Sequence, residues 1–307
     1  MTLLLFVEQM LNGLQLGVML FLMSAGLTLV FGIMGMINLA HGSLYMMGAY
    51  FAAAILSWTG SFLLAVPLAV LGTLALGIAV EYSVLRTLYA RDHLDQVLAT
   101  FGLILFFNEA VRLLFGAAPL YLNLPSALSG HVEIVPGAPY PVYRVAIIGV
   151  GLAVAAALYV LVQRTRAGAL IRAGASNREM VGALGINIPR LFTLVFGLGA
   201  ALAGLGGAIA GPIVSVQTGM GEEILILAFV VIVVGGIGSV RGAFFAALAI
   251  GVLDTMGRSF LREALALVLP RAAAETAGPT LASMLIYVFM AAILFFRPQG
   301  LFPPKAR

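Results

Sequence analysis

The chain has 307 residues, of which 62% are hydrophobic and 9% are charged, and its formal net charge is +4. Soluble domains carry about 25% charged residues and need them to cover their surface, so this composition excludes an ordinary soluble fold and predicts a protein of the lipid bilayer. With no cysteine and three histidines, the chain offers no disulfide framework, no thiolate metal site and too few histidines for a histidine-rich one.

Apolar runs recur along the chain, and most are about 20 residues long, the length at which a helix crosses the hydrocarbon layer. They lie at 9–33, 37–57, 62–85, 95–115, 143–163, 191–211, 222–236, 242–261 and 280–296. The 222–236 run is short for a full crossing, so we expect an all-α transmembrane bundle of eight or nine spans. No stretch between the runs could form a soluble domain, which makes residues 1–307 one transmembrane domain.

Arginine and lysine between the runs predict the orientation, because these residues are retained on the cytoplasmic side of a membrane. One set of alternate connections and tails holds Arg86, Arg91, Arg164, Arg166, Arg172, Arg178, Arg190, Arg241, Arg297, Lys305 and Arg307. The opposite set holds Arg112, Arg144, Arg258, Arg262 and Arg271. With nine spans, the N-terminus then lies outside and the C-terminus inside, and 164–190 is the longest cytoplasmic segment. These arginines explain the positive net charge without a nucleic-acid partner.

The segment between the first two runs carries polar side chains at membrane depth. Asn38, His41 and Tyr45 are spaced i, i+3 and i+7, which places them on one face of a helix. Such groups are costly in lipid unless they pair or line a water-filled path. Glycines in the same segment could break the backbone locally, as it is broken along solute paths: Gly32, Gly35 and Gly42. The pattern fits a satisfied interhelical hydrogen-bond cluster, a part of a translocation path, or both.

The cytoplasmic segment 164–190 contains a predicted short helix at 176–184. Ser176 and Glu179 have the spacing of a capping box, in which each side chain bonds the other residue's backbone amide. Gly185 suits the position after the helix, and Pro189 prevents its continuation. Two helical turns are marginal alone in water, so this helix must dock on its own bundle or on a partner. The flanking arginines also fit a solvated basic loop: Arg172, Arg178 and Arg190.

The stretch between the seventh and eighth runs predicts a tight glycine turn, built on Gly235, Gly236, Gly238 and Ser239. A nucleotide-binding loop would need a lysine after the glycines and a strand before them. The sole lysine is Lys305, so any ATP chemistry must come from a partner. No Gly-x-Ser-x-Gly elbow or His-Glu-x-x-His zinc motif occurs either. We therefore expect a protein that is not an enzyme and binds no metal or cofactor itself.

Acidic residues within the spans leave one alternative open. Asp254 and Arg258 at i, i+4, and Glu109 and Arg112 at i, i+3, could form intrahelical pairs with a structural role. An unpaired Glu81 or Asp254 would instead indicate a proton or cation path, and hence a secondary transporter driven by an ion gradient.

Four motifs, spread over the whole chain, resemble those of branched-chain amino acid ABC transporter permeases of the LivH type. They are Gly35-Met-Ile-Asn-Leu-Ala-His-Gly42, Arg172-Ala-x-x-x-Asn-Arg-Glu-Met-Val-Gly-Ala-Leu-Gly-Ile-Asn187, Gly235-Gly-Ile-Gly-Ser239 and Arg297-Pro-Gln-Gly-Leu-Phe302. The resemblance implies a permease subunit of an importer in the bacterial inner membrane. Its partners would be a second permease of the LivM type, two ABC ATPase subunits that hold ATP and Mg, and a periplasmic solute-binding protein.

The resemblance also implies roles for residues. Segment 172–187 would dock in a groove of an ATPase subunit, and its candidate coupling residues are Arg172, Ser176, Arg178, Glu179, Met180, Leu184, Gly185 and Ile186. Residues in the first motif lie near the expected solute path, and our candidates there are Asn38, His41, Ser43 and Tyr45. We expect alternating access, in which the ATPases push the helix at 176–184 and tilt the attached spans 143–163 and 191–211. The solute would be an amino acid or a similar small molecule.

Overall fold

The computed structural model describes residues 3–302, and most of them are helical. The helices are α1 (Leu3–Met34), α2 (His41–Thr59), α3 (Phe62–Val80), α4 (Arg86–Leu88), α5 (His93–Phe115), α6 (Val142–Arg164), α7 (Arg166–Ser176), α8 (Arg178–Ala183), α9 (Ile188–Ala210), α10 (Met220–Gly235), α11 (Val240–Leu265) and α12 (Arg271–Phe296). A π-helical turn at Glu81–Leu85 joins α3 to α4. Lys305 and Arg307, which contributed to the predicted orientation, lie outside the described residues.

Within residues 3–302, seven helical segments are long and apolar enough to cross a membrane. They are α1, α3 with its continuation to Leu88, α5, α6, α9, α11 and α12. Helix α10 has only 16 residues, as its short apolar run suggested. Helix α2 has 19 residues, but polar side chains such as His41 and Ser43 dilute its apolar character. The described chain is therefore a nearly all-α membrane protein with seven helices of spanning length and composition.

Helices α1 and α9 form the centre of the bundle. An apolar stretch of 18 residues is 83% buried in α1 and 72% buried in α9, against 11% in α12. Glycines permit the close contacts of α1 with α11. A Cβ added at Gly13 would lie 2.7 Å from Val252 Cα, and one added at Gly17 would lie 2.8 Å from Leu248 Cα. The Gly13-x-x-x-Gly17 spacing therefore serves packing inside this bundle, as small residues commonly do in membranes.

The structure differs from the predicted all-α bundle at two connections. Strands β1 (His131–Val135) and β2 (Ala138–Pro141) form an antiparallel hairpin, which the proline- and glycine-rich loop sequence concealed. Helix α11 continues to Leu265 and α12 begins at Arg271, so the gap at 262–279 between the last two apolar runs contains a connection of only residues 266–270. Polar residues and Pro279 interrupt the apolar run there without ending the helix, because packed membrane helices tolerate proline.

The two ends of the bundle have different structures, and we call them the hairpin end and the α8 end. At the hairpin end, Tyr140 donates to Asn12 Oδ1 at 3.1 Å, and Arg144 donates to the same oxygen. Burial raises the pKa of the Tyr140 hydroxyl, which favours its role as a donor. Leu120 and Val216 exchange two backbone hydrogen bonds of 2.9 Å, which join the loop after α5 to the loop before α10.

Candidate functional site

The first candidate region is the backbone break between α1 and α2. Helix α1 ends at Met34, and Gly35 has a left-handed φ of +63°, which residues with a Cβ rarely adopt. Residues 35–40 are not helical, and α2 begins at His41. The predicted local break is therefore present, and it places the start of α2 inside the bundle.

All four candidate path residues are buried. Asn38 and His41 are 0% exposed, and Ser43 and Tyr45 are nearly so. The side-chain nitrogen and oxygen atoms of Asn38 and Ser43 have no hydrogen-bond partner among residues 3–302, and the His41 ring faces the Met23 backbone of α1 without a hydrogen bond of ordinary geometry. The structure therefore does not contain the satisfied interhelical cluster that was one of our two interpretations. An unpaired buried polar group costs about 1–3 kcal/mol, so three such residues in one segment require a reason other than packing.

Helix α2 lies in close contact with α1 and α9 through glycines on those helices. A Cβ added at Gly26 would lie 2.9 Å from His41 Nε2, so the imidazole ring sits directly against α1. A Cβ added at Gly206 would lie 3.4 Å from the Tyr45 ring, and one added at Gly207 would overlap the Tyr45 carbonyl. The position of α2 therefore depends on the absence of side chains at these points.

The starts of α2 and α10 meet backbone to backbone. A Cβ added at Gly42 would collide with the Gly221 carbonyl, and one added at Gly221 would lie 3.2 Å from Ser43 N. No side chain of the described residues caps either helix start. Free N–H groups at a helix start carry partial positive charge, so two such ends converge here. We call this region the α2–α10 junction, and it comprises both helix starts with Asn38, His41 and Ser43.

A polar pair that the sequence did not predict adjoins the junction. Glu222 follows Gly221, and its Oε1 accepts a hydrogen bond of 2.6 Å from Asn108 Nδ2 on α5. The remaining oxygens, Glu222 Oε2 and Asn108 Oδ1, are buried and find no partner in the described part of the chain. An asparagine inside the 95–115 run and an acid at the start of the 222–236 run were the available signals. Their pairing across 114 positions was not readable from local spacing.

The second candidate region is the coupling segment 164–190, whose first half is the unpredicted helix α7. Gly174 faces the bundle, because a Cβ there would lie 3.1 Å from Leu191 Cδ2 and 3.6 Å from Ile33 Cγ2. Arg172 donates to the Val162 carbonyl of α6. Helix α7 therefore rests on the ends of α1, α6 and α9.

The cap of α8 lies one residue later than predicted. Asn177 is extended (φ −155°, ψ 95°), and its side-chain oxygen accepts from Met180 N at 2.9 Å. Ser176 is the last residue of α7, so the predicted capping box of Ser176 with Glu179 is wrong. The reason is that α7 continues through Ser176 and leaves Asn177 as the residue with cap geometry. Glu179 still lies in the first turn of α8, where its negative charge interacts favourably with the positive end of the helix dipole.

The predicted end of α8 is confirmed. Gly185 has a left-handed φ of +85°, and Ile186 N donates to the Val181 carbonyl at 3.3 Å, as in a glycine-terminated helix. Val181 is buried, whereas Met180 is 59% exposed and Leu184 is 75% exposed. Polar side chains surround this apolar pair, and they are also exposed: Ser176, Arg178 and Glu179. Helix α8 is thus anchored on one side and presents an apolar pair on the other.

A cavity of about 620 Å³ connects the two candidate regions at the α8 end. It is lined by Gly32–Gly35, Tyr89–Arg91, His93, Gln96 and Gly174–Glu179. The first of these segments is the end of α1, immediately before the break that leads to the junction. Helix α7 lies against the same end of α1, because a Cβ added at Gly174 would lie 3.6 Å from Ile33 Cγ2.

The glycine turn between α10 and α11 has the compact form that the sequence predicted. Gly236 and Gly238 have left-handed φ angles of +102° and +82°. Ser239 Oγ accepts from Gly242 N at 3.1 Å and so caps α11. Gly242 packs directly on the backbone of Gly235. These contacts give the turn a packing role.

The chain returns to this turn after α12. Leu301 N donates to the Val234 carbonyl at 2.8 Å, and Phe302 N donates to the Gly235 carbonyl at 3.0 Å. The tail therefore satisfies two carbonyls at the end of α10 that no further helical turn could reach.

Glu81 and Asp254, the two acids named above as possible ion-coupling residues, are both paired. Fully buried Glu81 accepts hydrogen bonds from three side chains: Arg86 (3.1 Å), Tyr89 (2.7 Å) and Thr193 (2.8 Å). Burial and the bond to Glu81 raise the pKa of the Tyr89 hydroxyl. Asp254 accepts from Arg258 Nε at 2.9 Å, as the i, i+4 spacing predicted. Between residues 3 and 302 no group of three or more His, Cys, Asp or Glu could hold a metal ion.

Known proteins resemble the chain over most of its length. Residues 9–294 match the family described as branched-chain amino acid transport system / permease component. The high-affinity branched-chain amino acid transport system permease protein BraD of Pseudomonas aeruginosa is 30% identical over 312 residues, covering 96% of this chain and 95% of the relative. The corresponding protein LivH of Escherichia coli K12 is 31% identical over 277 residues, covering 83% and 87%. No solved structure matches the chain.

Proposed function

Because the chain belongs to the family of branched-chain amino acid transport system permease components, we propose that it is the transmembrane permease subunit of an ABC importer. Its solutes are branched-chain or other amino acids, or similar small molecules. The chain is an inner-membrane transport subunit and not an enzyme. Two ATPase subunits hold ATP and Mg, a solute-binding protein delivers the cargo, and a second permease of the LivM type completes the membrane core. This chain binds no cofactor itself.

In the proposed topology, α2 and α10 join the seven long helices as shorter membrane segments and make nine passes. At 1.5 Å per residue, α10 extends about 24 Å, less than the hydrocarbon thickness of about 30 Å. Its start, like that of α2, then lies within the membrane and not at its surface. The arginine distribution supports an outside N-terminus and an inside C-terminus, with the α8 end in the cytoplasm.

The α2–α10 junction is the proposed solute path. Its support is the burial of Asn38, His41 and Ser43 without partners at a point where two helix starts converge. Polar groups and broken helices at membrane depth are typical of solute sites, where a bound solute supplies the missing contacts. Tyr45 belongs to the same path, because its ring packs against Gly206 of α9 beside the junction.

Helix α8 is the proposed contact with an ATPase subunit. The single observation that carries this role is the exposed apolar pair Met180 and Leu184 on a helix anchored by Val181. Aliphatic side chains beside charged ones are the pattern of a protein interface. Movement of α8 is transmitted to α2 by two routes, through α7 to the end of α1 and through Asn187 to α9, because both α1 and α9 contact α2. The ATPase subunits can therefore shift the equilibrium between the two conformations of alternating access from the cytoplasmic side.

The test is Leu184→Asp in the assembled importer, reconstituted in proteoliposomes. An aspartate in an apolar contact should lower ATP-driven uptake and ATPase co-purification about tenfold or more. The matched control is Leu267→Asp, because Leu267 is 88% exposed but lies between α11 and α12, away from α8. We expect the control to transport normally. Normal uptake by Leu184→Asp, or uptake that survives ATP depletion and collapses with an uncoupler, would contradict the proposal.

A further inference from the structure

We propose that Glu222 and Asn108 receive the ammonium group of a zwitterionic solute, whose carboxylate is received by the start of α2. This inference rests on the importer function proposed above and specifies the charge pattern of the cargo. It is carried by two sets of buried polar atoms, one on each side of a single backbone contact: an acceptor pair on α10 and α5, and a set on α2 that includes donors.

The α2 side of the junction contains donors as well as acceptors. Asn38 Nδ2 and Ser43 Oγ can each donate, and one ring nitrogen of neutral His41 can do so. All three side chains are at most 1% exposed; the described chain offers Asn38 and Ser43 no partner, and His41 faces the Met23 backbone of α1. The uncapped amides at the start of α2 add partial positive charge. Such a set favours an anionic group, and a carboxylate can accept from several of these donors at once.

The free side-chain atoms on the α10 side are acceptors, and the uncapped start of α10 adds partial positive charge beside them. One oxygen of Glu222 is bonded to Asn108 Nδ2, which leaves the other carboxylate oxygen and the Asn108 amide oxygen free. An ionised carboxylate and an amide oxygen cannot donate, so their missing partner must be a donor. Glu222 forms no salt bridge with any described residue, so its charge at membrane depth is offset by the partial positive charge at the start of α10 and by the Asn108 amide. An ammonium group supplies three N–H donors and the compensating positive charge.

The chemistry of the acceptors favours an ammonium group over a metal ion. Alkali and alkaline-earth ions bind about six oxygens or more, whereas this pair provides two free side-chain oxygens. Ammonium requires only two or three acceptors. The Asn108 amide on α5 holds the Glu222 carboxylate of α10 by a hydrogen bond of 2.6 Å.

The two sides are adjacent across the junction. Glu222 follows Gly221, whose backbone touches Gly42 and lies beside Ser43 N. In the described conformation this glycine contact is closed and the polar atoms are buried. Separation of the α2 and α10 starts would open a gap with donors on one wall and acceptors on the other. An amino acid fits such a gap with its carboxylate toward α2 and its ammonium group toward α10.

The experiment uses the complete importer in proteoliposomes and a panel of zwitterionic amino acids, their deaminated acids and their amides. The unmodified importer should prefer a zwitterion. For that solute, Glu222→Gln should lower the initial rate of ATP-driven uptake about 10- to 100-fold, the range expected for a lost hydrogen bond to a charged group. Glu223→Gln removes the same charge from the adjacent exposed residue and should change the rate less than about twofold.

ATP hydrolysis separates solute recognition from general damage. Stimulation by the binding protein should stay within about twofold in Glu222→Gln, because α8 is unchanged and a lost solute contact acts mainly on uptake. Glu222→Asp keeps the charge and should recover part of the rate. If Glu222→Gln does not assemble, Asn108→Leu removes the second free oxygen and should produce the same selective loss.

Several outcomes would overturn the inference. They are equal rates for Glu222→Gln and Glu223→Gln, a parallel loss of uptake and ATP hydrolysis, an unmodified importer that prefers a solute without an ammonium group, and uptake that stops when choline replaces Na⁺. Failure of the importer function itself has a different result, because the unmodified assembly would then transport no member of the panel in response to ATP.

Discussion

The α2–α10 junction and α8 depart from the usual distribution of side chains in opposite directions. The junction places Asn38, His41 and Ser43 in the interior, where polar groups are costly. Helix α8 exposes Met180 and Leu184 at the surface, where contact between apolar side chains and water is unfavourable. Each region is therefore incomplete in the single chain, and each lacks the kind of contact that a different partner would provide.

The two regions also differ in how their helix ends are satisfied. A glycine with a left-handed φ lies next to each helix: Gly35 precedes α2, and Gly185 follows α8. Helix α8 has a capped start at Asn177 and a closed end at Ile186, so it is preformed and can transmit a push. The start of α2 has no side-chain cap from any described residue, and among its first three amides only that of His41 donates to a backbone carbonyl, which is that of Asn38 at 3.5 Å. Hydrogen bonding at the helix ends therefore distinguishes α8, the proposed rigid contact, from the start of α2, the proposed binding region.

The largest predicted effect concerns the packing that holds the junction closed. Gly207→Ala should lower the free energy of unfolding by about 3 kcal/mol, because the new Cβ would overlap the Tyr45 carbonyl of α2. Gly102→Ala is the matched control, since a Cβ there meets nothing within 4 Å and alanine favours a helix by up to about 1 kcal/mol. Thermal unfolding in detergent measures both variants. Equal melting temperatures would show that α2 is not held by this contact.

The next prediction separates stability from transport at the junction. His41→Leu removes two buried nitrogens that make no hydrogen bond of ordinary geometry, so the free energy of unfolding should rise by about 1 kcal/mol while solute uptake falls about tenfold. Melting temperature and uptake by the assembled importer are measured on the same protein. His131→Leu, at an exposed hairpin position, should alter neither quantity appreciably. A His41→Leu variant that is less stable would indicate that the imidazole has a structural partner.

A smaller effect tests the cap of α8. Asn177→Ala should destabilise α8 by about 1 kcal/mol, which corresponds to about fivefold faster amide hydrogen exchange in this helix. Ser176→Ala, one residue earlier, should leave exchange in α8 unchanged, because Ser176 ends α7. If Ser176→Ala accelerated exchange in α8 more than Asn177→Ala, the capping box of Ser176 with Glu179 would be the correct assignment.

The smallest effect is a pH dependence at the α8 end. The pKa of Tyr89 is raised by burial and by Glu81, so its stabilising effect is complete below about pH 10, the usual tyrosine value, and is lost as pH rises above it. Melting temperature should therefore fall more steeply above about pH 10 in the unmodified protein than in Tyr89→Phe. Parallel curves for the two proteins would contradict this assignment.

Local patterns predicted the parts of the fold that depend on local chemistry. The length of the apolar runs located the long helices, and Gly35 and Gly185 marked the ends of α1 and α8. The i, i+4 spacing of Asp254 and Arg258 correctly predicted their ion pair. Each of these features is decided within one or two helical turns, so neighbouring residues contain the necessary information. The shift of the α8 cap from Ser176 to Asn177 shows the limit, because it depended on how far α7 extends.

Features that depend on distant packing were not predictable in this way. Glu222 and Asn108 meet only because α5 and α10 are neighbours in the folded bundle. Glu81 is bonded by Arg86 and Tyr89, five and eight positions away through an irregular π-helical turn, and by Thr193, 112 positions away. The absence of partners around His41 likewise depends on what α1 and α9 place beside it. One sequence without three-dimensional neighbours cannot rank these possibilities.

The return of the tail to the glycine turn has a consequence for the order of folding. The carbonyls of Val234 and Gly235 are satisfied by Leu301 and Phe302, which emerge from the ribosome after α12. During synthesis the α10–α11 turn must therefore remain solvated or transiently bonded elsewhere until the last helix has been inserted. Nascent chains arrested before residue 301 should keep this corner open to proteases, and release of the tail would close it as a late step of biogenesis.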